Sequence, residues 1–217
     1  FQSAHVDRRE EILNTMRHAS LREVRALCDV LLHLHASSRE RLGDYARLYK
    51  RIFACTGKPQ PILDVGSGMN PISFPSMDLD HVAYTAIELN NRDCTFLQGF
   101  FHEFHRFYPH LTFQALALDL SEPSTLEKIR SLGEFDVAFL LKMSDVVEER
   151  GHKQFEGVLM AIRATSLVVS FPTRTLSNKR MRQPRRRWFE VMAQRCGFTF
   201  DSFELPHELF YVLKRFS

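Results

Sequence analysis

The chain has 217 residues, 44% of them hydrophobic and 25% charged, with 29 basic against 26 acidic side chains for a net charge of +3. That length suits one α/β domain with a small appendage, and no apolar run reaches the roughly 18 residues of a membrane span. Four scattered cysteines (Cys28, Cys55, Cys94, Cys196) form no C-x-x-C pair, which speaks against a zinc site and for a reduced, cytoplasmic protein.

Residues 6–35 read as helical, because Val24, Leu27, Cys28, Leu31 and Leu34 recur at helical spacing among charged residues. Ser37 and Glu40 stand at capping-box spacing, so a new helix is expected to start there. It buries Leu42, Tyr45, Leu48, Tyr49, Ile52 and Phe53, and Gly57-Lys58-Pro59 ends it. Residues 1–57 thus read as an N-terminal helical subdomain and residues 58–217 as the main domain. Phe1-Gln2-Ser3 reads as the remnant of an engineered protease site and no signal peptide is visible.

From residue 60 strands and helices alternate. Strands are expected near 61–65, 82–87, 112–118, 135–141 and 166–171, and helices near 91–108, 123–132, 147–163 and 184–196. The ending differs: Phe198 to Glu204 and Leu209 to Lys214 are two strands in succession, with Pro206 in the turn. Alternation implies a parallel sheet wrapped by helices. Five such units closed by a β-hairpin are the order of the class I S-adenosylmethionine-dependent methyltransferase (Rossmann-like) α/β fold.

The first strand, Ile62-Leu63-Asp64-Val65, runs straight into Gly66-Ser67-Gly68-Met69-Asn70-Pro71. Two glycines let the backbone turn sharply and approach a ligand, and in an open α/β sheet ligands bind at strand ends. Glu88 closes the second strand, where a carboxylate can accept from both hydroxyls of a ribose. Asp119 closes the third, where it can accept from an adenine amino group, and Leu120 adds an apolar wall. A dinucleotide site wants a third glycine and a helix N-terminus at the pyrophosphate. Pro71 occupies that position, and Asn70-Pro71 interrupts a helix start. S-adenosylmethionine, an adenosine without phosphate, fits better.

After the fourth strand stands Leu140-Leu141-Lys142-Met143-Ser144-Asp145, with neither the N/D-P-P-Y/F motif of amino-group methyltransferases nor a cysteine nucleophile. With no evident general base, the pattern suits an acceptor that is already nucleophilic and loses no proton, such as guanine N7. The run Lys179-Arg180-Met181-Arg182-Gln183-Pro184-Arg185-Arg186-Arg187 favours a polyanionic target. Pro184 fits the first position of a helix whose first turn Arg185, Arg186 and Arg187 would fill. The helix dipole disfavours cations there, and a bound RNA phosphate would reverse the penalty. Other readings of the same residues are a methyltransferase for another RNA, a small molecule or a protein, and an RNA-binding module with a vestigial cofactor pocket.

Five segments in order resemble the aminoglycoside-resistance 16S rRNA (guanine-N7) methyltransferases. They are His35-Ala36-Ser37-Ser38-Arg39-Glu40-Arg41-Leu42, Ile62-Leu63-Asp64 through Pro71, Leu140-Leu141-Lys142, Val169-Ser170-Phe171-Pro172-Thr173-Arg174-Thr175-Leu176 and Glu208-Leu209-Phe210-Tyr211-Val212. That family modifies a decoding-site guanine in helix 44 of the 30S subunit and blocks gentamicin and kanamycin. The resemblance implies that Arg41 pairs with the methionine carboxylate of S-adenosylmethionine and that Asp64, Gly66, Gly68, Glu88, Asp119, Leu120 and Leu141 complete the cofactor site. It implies Asn70, Lys142, Arg174 and Glu208 toward the acceptor guanine, S-adenosylhomocysteine as product, no metal, and a monomer acting on the 30S subunit. The basic run (Lys179, Arg180, Arg182, Arg185, Arg186, Arg187) then meets the RNA. Departures from the family pattern are Ile87-Glu88-Leu89 in place of Asp-Ile-Asp and the arginine run in place of a Gly-Met-x-x-x-Tyr segment.

Overall fold

Strand β1 (Pro61–Val65) lies at the centre of a seven-stranded sheet. The computed structural model describes residues 2–143, 151–175 and 177–216. The other strands are β2 (Val82–Glu88), β3 (Leu111–Ala117), β4 (Phe135–Leu140), β5 (Ala164–Pro172), β6 (Phe198–Leu205) and β7 (Glu208–Arg215). Their order is β3-β2-β1-β4-β5-β7-β6. β1 runs parallel to β2 on one side and β4 on the other, so the chain order reverses between β1 and β4. That reversal leaves a crevice at the C-terminal ends of β1 and β4. β7 slots antiparallel between β5 and β6, with Pro172 opposite Glu208. This is the class I methyltransferase fold expected from the order of elements.

The helices are α1 (Gln2–Met16), α2 (Leu21–Leu34), α3 (Ala36–Arg39), α4 (Tyr45–Thr56), α5 (Asn91–Phe104), α6 (Pro123–Ser131), α7 (His152–Ala161) and α8 (Arg187–Arg195). The strands alternate in the usual way: Ile62, Val137, Val168 and Phe210 face one apolar layer, and Leu63, Ala138, Val169 and Tyr211 face the other. Residues of α1, α2 and α4 enter the first of these layers directly, so the helical lead-in over 1–57 and the sheet share one core.

Several local expectations need correction. The helix expected over 6–35 is two, α1 and α2, and the capping box belongs to α2. Ser20 N donates to Glu23 Oε2 at 2.7 Å and Glu23 N to Ser20 Oγ at 3.4 Å. At the predicted box, Ser37 Oγ instead meets His35 Nδ1 at 3.0 Å, and Glu40 is drawn to Lys142, a partner 102 residues away. α3 is therefore one short turn, and the chain bends through residues 40–44 before α4 starts. The segment after Gly68 forms a 3-10 helix, Asn70–Ser76, with Pro71 near its start. α8 begins at Arg187 rather than Pro184, because the preceding residue Arg186 is tied down at φ −100° and ψ 80°, outside the helical region. Of the helix expected over 147–163, α7 is seen; residues 144–150, with Ser144, Asp145 and Glu149-Arg150, lie outside the described residues, as does Leu176.

Candidate active site

The β1 turn takes the shape its two glycines permit. Gly66 and Gly68 have φ of +65° and +50°, the left-handed region that side chains disfavour. A β-carbon on Gly66 would come within 2.4 Å of Met143 Sδ, and one on Gly68 within 3.4 Å of His35 Cε1. Met143 follows the end of β4 and His35 follows α2, so both walls close on the turn. Glu88 binds the turn from β2: Oε2 accepts from Gly68 N at 2.9 Å and Oε1 from Asn90 N at 3.3 Å. A cavity of about 520 Å³ opens here, lined by Gly66, Ser67, Gly68 and Glu88 on one side and by Arg41, Leu141, Lys142 and Arg174 on the other.

Beneath the turn lies a buried polar layer. Asp64 takes a place on β1 that an apolar side chain would otherwise fill. Its Oδ2 accepts from Asn70 Nδ2 at 2.9 Å and Tyr84 OH at 2.7 Å. Its Oδ1 is buried with no hydrogen-bond partner among the described residues. Burial pushes the carboxyl up to about 6, against the pull of those two bonds. Tyr49 OH meets Ser73 Oγ at 2.6 Å, and Ser73 Oγ donates to the Asn70 carbonyl at 2.7 Å. Asn70 is thus committed to Asp64 and does not line the cavity, which corrects its expected place beside the acceptor. Tyr84 and Tyr49 were not legible as site residues. Tyr84 sits across from Ile62 in the β1–β2 register, a pairing that only the sheet reveals.

A second chain of charges runs along the cavity floor. Arg41 donates from Nε and Nη2 to the two carboxylate oxygens of Glu208 at 2.8 and 2.9 Å. Burial opposes the charge on Arg41, but Glu208 outweighs it and holds the guanidinium above its ordinary pKa. Nη1 remains, 3.5 Å from Asn70 Oδ1. Glu208 also accepts from the Ser170 hydroxyl, and Lys142 Nζ lies 4.0 Å from it. Lys142 Nζ in turn pairs with Glu40. Glu208 is therefore buried and does not line the cavity, contrary to its expected role toward the guanine. Lys142 and Arg174 do line it.

The third strand end differs from expectation. Asp119 Oδ1 accepts from Ser121 N at 2.7 Å and Ser121 Oγ at 2.6 Å, an Asx turn leading into α6. The Leu120 carbonyl accepts from Gln154 Nε2 at 2.9 Å. Neither residue lines the cavity.

The basic run divides into three. Arg186 points inward: Nη2 donates to the Pro172 carbonyl at 3.1 Å, its amide donates to Tyr211 OH at 3.0 Å, and its guanidinium lies 5.8 Å from the Phe171 ring centroid. Arg180 and Arg185 pair with Glu204 and Glu190 at 2.9 and 2.7 Å. Lys179, Arg182 and Arg187 are exposed with no ion-pair partner among the described residues. Arg186 is thus drawn onto the protein as an anchor of this segment, unlike the exposed cations beside it. The loop it braces is closed by Met181 N donating to the Thr173 carbonyl at 2.8 Å and Thr175 N to the Lys179 carbonyl at 2.9 Å. No described helix is long and apolar enough to cross a membrane, and among the described residues no cluster of three His, Cys, Asp or Glu is placed to hold a metal.

Residues 11–212 match the family model described as ribosomal RNA methyltransferase (FmrO). A 16S rRNA (guanine(1405)-N(7))-methyltransferase of Frankia casuarinae is 30% identical over 194 residues, covering 85% of this chain and 62% of that protein. The chain thus spans about three fifths of that relative's length. An enzyme of the same name from Micromonospora echinospora is 28% identical over 195 residues, covering 88% of this chain and 67% of its own. Among solved structures, the 16S rRNA methyltransferase RmtF in complex with S-adenosyl-L-homocysteine superposes with a TM-score of 0.71 at 24% identity, over 98% of this chain and 76% of that one. The 16S rRNA methylase ArmA gives 0.67 at 24% identity, over 87% and 91%. These superpositions agree with the fold, and the family match extends from α1 into β7. The chain belongs to the ribosomal RNA methyltransferase (FmrO) family.

Proposed function

We propose that this chain transfers the methyl group of S-adenosylmethionine to N7 of a guanine in the 16S rRNA of the 30S subunit, leaving S-adenosylhomocysteine. The observation that carries this reading is the cavity at the β1/β4 crevice, with a glycine cradle on one wall and Lys142 and Arg174 on the other. The cradle fits the cofactor. Gly66 and Gly68 leave no β-carbon in the ligand's way, and the Glu88 carboxylate suits ribose hydroxyls. Arg41 keeps Nη1 for a carboxylate, and the unpartnered Asp64 Oδ1 suits the field of an ammonium group.

When bound, the cofactor supplies an electrophilic methyl group on a sulfonium. Guanine N7 presents its own lone pair and loses no proton, so the chain needs no base. Its work is alignment, which holding two reactants in register can supply in large measure. Lys142 and Arg174 suit the guanine O6 and the flanking phosphates. The exposed Lys179, Arg182 and Arg187 extend that positive field along the RNA. Relatives named for 16S rRNA guanine methylation, and a structural neighbour bound to S-adenosylhomocysteine, support the same reading.

The test is transfer of a radiolabelled methyl group to 30S subunits, free 16S rRNA and protein, followed by mapping. Label at one guanine N7 in 30S subunits is the expected result. Label only on protein or a small molecule, or none at all, overturns the proposal.

A further inference from the structure

One residue that neither wall of the cavity exposes connects two of its cations, Lys142 and, through Glu208, Arg41. Ser170 lies on β5, fully buried. Its hydroxyl accepts from the Lys142 amide at 2.9 Å and donates to the Glu208 carboxylate. Lys142 has φ of +55°, a left-handed conformation that a side chain with a β-carbon adopts only when its surroundings impose it. The amide of Lys142 donates to the Ser170 hydroxyl. That turn aims the Lys142 ammonium back toward Glu40 and Glu208.

We infer that Ser170 is a positioning residue for methyl transfer, acting through Lys142. This rests on the proposed function. A single hydroxyl uses its lone pair to fix the turn after β4 and its proton to fix the carboxylate at the start of β7. Both groups are thereby tied to the same point on β5. Arg41 is held by Glu208 through two further bonds, so it stays in place without the hydroxyl. Loss of the hydroxyl therefore falls on the acceptor side, at Lys142, and spares the cofactor side.

Ser170→Ala removes one oxygen and cannot overpack. It is expected to lower kcat at least tenfold on 30S subunits while the dissociation constant for S-adenosylmethionine stays within threefold. Exchange of the Lys142 amide with deuterium should quicken at least tenfold, a readout independent of activity. Ser170→Thr keeps the hydroxyl and should stay within about threefold of the wild-type kcat, with slow exchange restored. A Ser170→Ala protein with kcat within twofold of wild type, or with unchanged Lys142 exchange, overturns the inference. So does a Thr variant as slow as the Ala variant. Wild-type protein that transfers no methyl group overturns the functional reading along with it, whereas an active wild type with an equally active Ala variant overturns the Ser170 role alone.

Discussion

Replacing Arg41 by alanine strands the Glu208 carboxylate in the interior. The side chains of the pair are 6% and 2% exposed, so water does not compensate. Removing one partner of a buried ion pair costs about 3–5 kcal/mol. Glu208 keeps the Ser170 hydroxyl and has Lys142 Nζ at 4.0 Å, which places Arg41→Ala near the lower end, about 3 kcal/mol. Glu208→Ala leaves the guanidinium without a carboxylate partner, with a 3.5 Å contact to Asn70 and the neighbouring Tyr45 hydroxyl, so about 4–5 kcal/mol is expected. For a chain of this size each kcal/mol lowers Tm by roughly 2–4 °C, so the single variants should melt about 6–12 °C and 8–20 °C lower. Arg41→Met combined with Glu208→Leu removes both charges and should be less destabilised than either single. The assay is thermal unfolding of the four unliganded proteins. Single variants that each melt within 2 °C of wild type, or a double variant whose loss equals the sum of the singles, would refute the reasoning. Cofactor affinity of Arg41→Ala has meaning only when measured well below its own Tm.

Three further outcomes follow from the site. Gly66→Ala puts a β-carbon into a left-handed position that disfavours it by about 1–2 kcal/mol and crowds Met143, so S-adenosylmethionine should bind about tenfold more weakly by calorimetry; an unchanged constant would show that the cradle is not the site. Burial raises Asp64 from 3.8 to about 6, so across that window the folded chain holds a proton the unfolded chain has lost, and the stability of the unliganded protein should fall as pH rises. Asp64→Asn should flatten that slope while cofactor affinity, favoured by the carboxylate, rises over the same window in wild type only; superimposable pH–stability curves would remove Asp64 from the account. Arg182→Glu and Arg187→Glu should each reduce the salt dependence of 30S binding by about one in log–log slope, whereas Arg186→Ala should lower Tm and leave the slope nearly unchanged. A salt-independent interaction would remove the electrostatic footing of the RNA reading.

What the sequence revealed was what short-range chemistry determines. The glycine turn and the acid at the end of β2 each depend on a few neighbouring residues, and each is found where the spacing puts it, whereas Asn70-Pro71 opens a 3-10 helix instead of breaking one. Misreadings arose where a distant partner decides. Ser20-Glu23 and Ser37-Glu40 have the same spacing, but Lys142 claims Glu40. Arg41 and Glu208 are 167 residues apart, so nothing local shows that the pair satisfies itself. Arg186 looks like its neighbours in a charge run, yet the Pro172 carbonyl and the Tyr211 hydroxyl draw it inward. Asp119 is the exception: Ser121, two residues on, is a local signal for an Asx turn that spacing alone could have disclosed.

The insertion of β7 between β5 and β6 also bears on when the pocket comes into being. The sheet cannot seat β7 until the chain has passed residue 208, 167 residues beyond Arg41. At the usual pace of synthesis that is on the order of ten seconds later. Until then Arg41 has no carboxylate from β7, and the Ser170 hydroxyl has no acceptor at Glu208. A nascent chain therefore carries the glycine cradle long before it carries the floor of the cavity. The two walls of the cavity are thus made at different times, and the buried ion pair beneath it waits for the closing of the longest loop in the site.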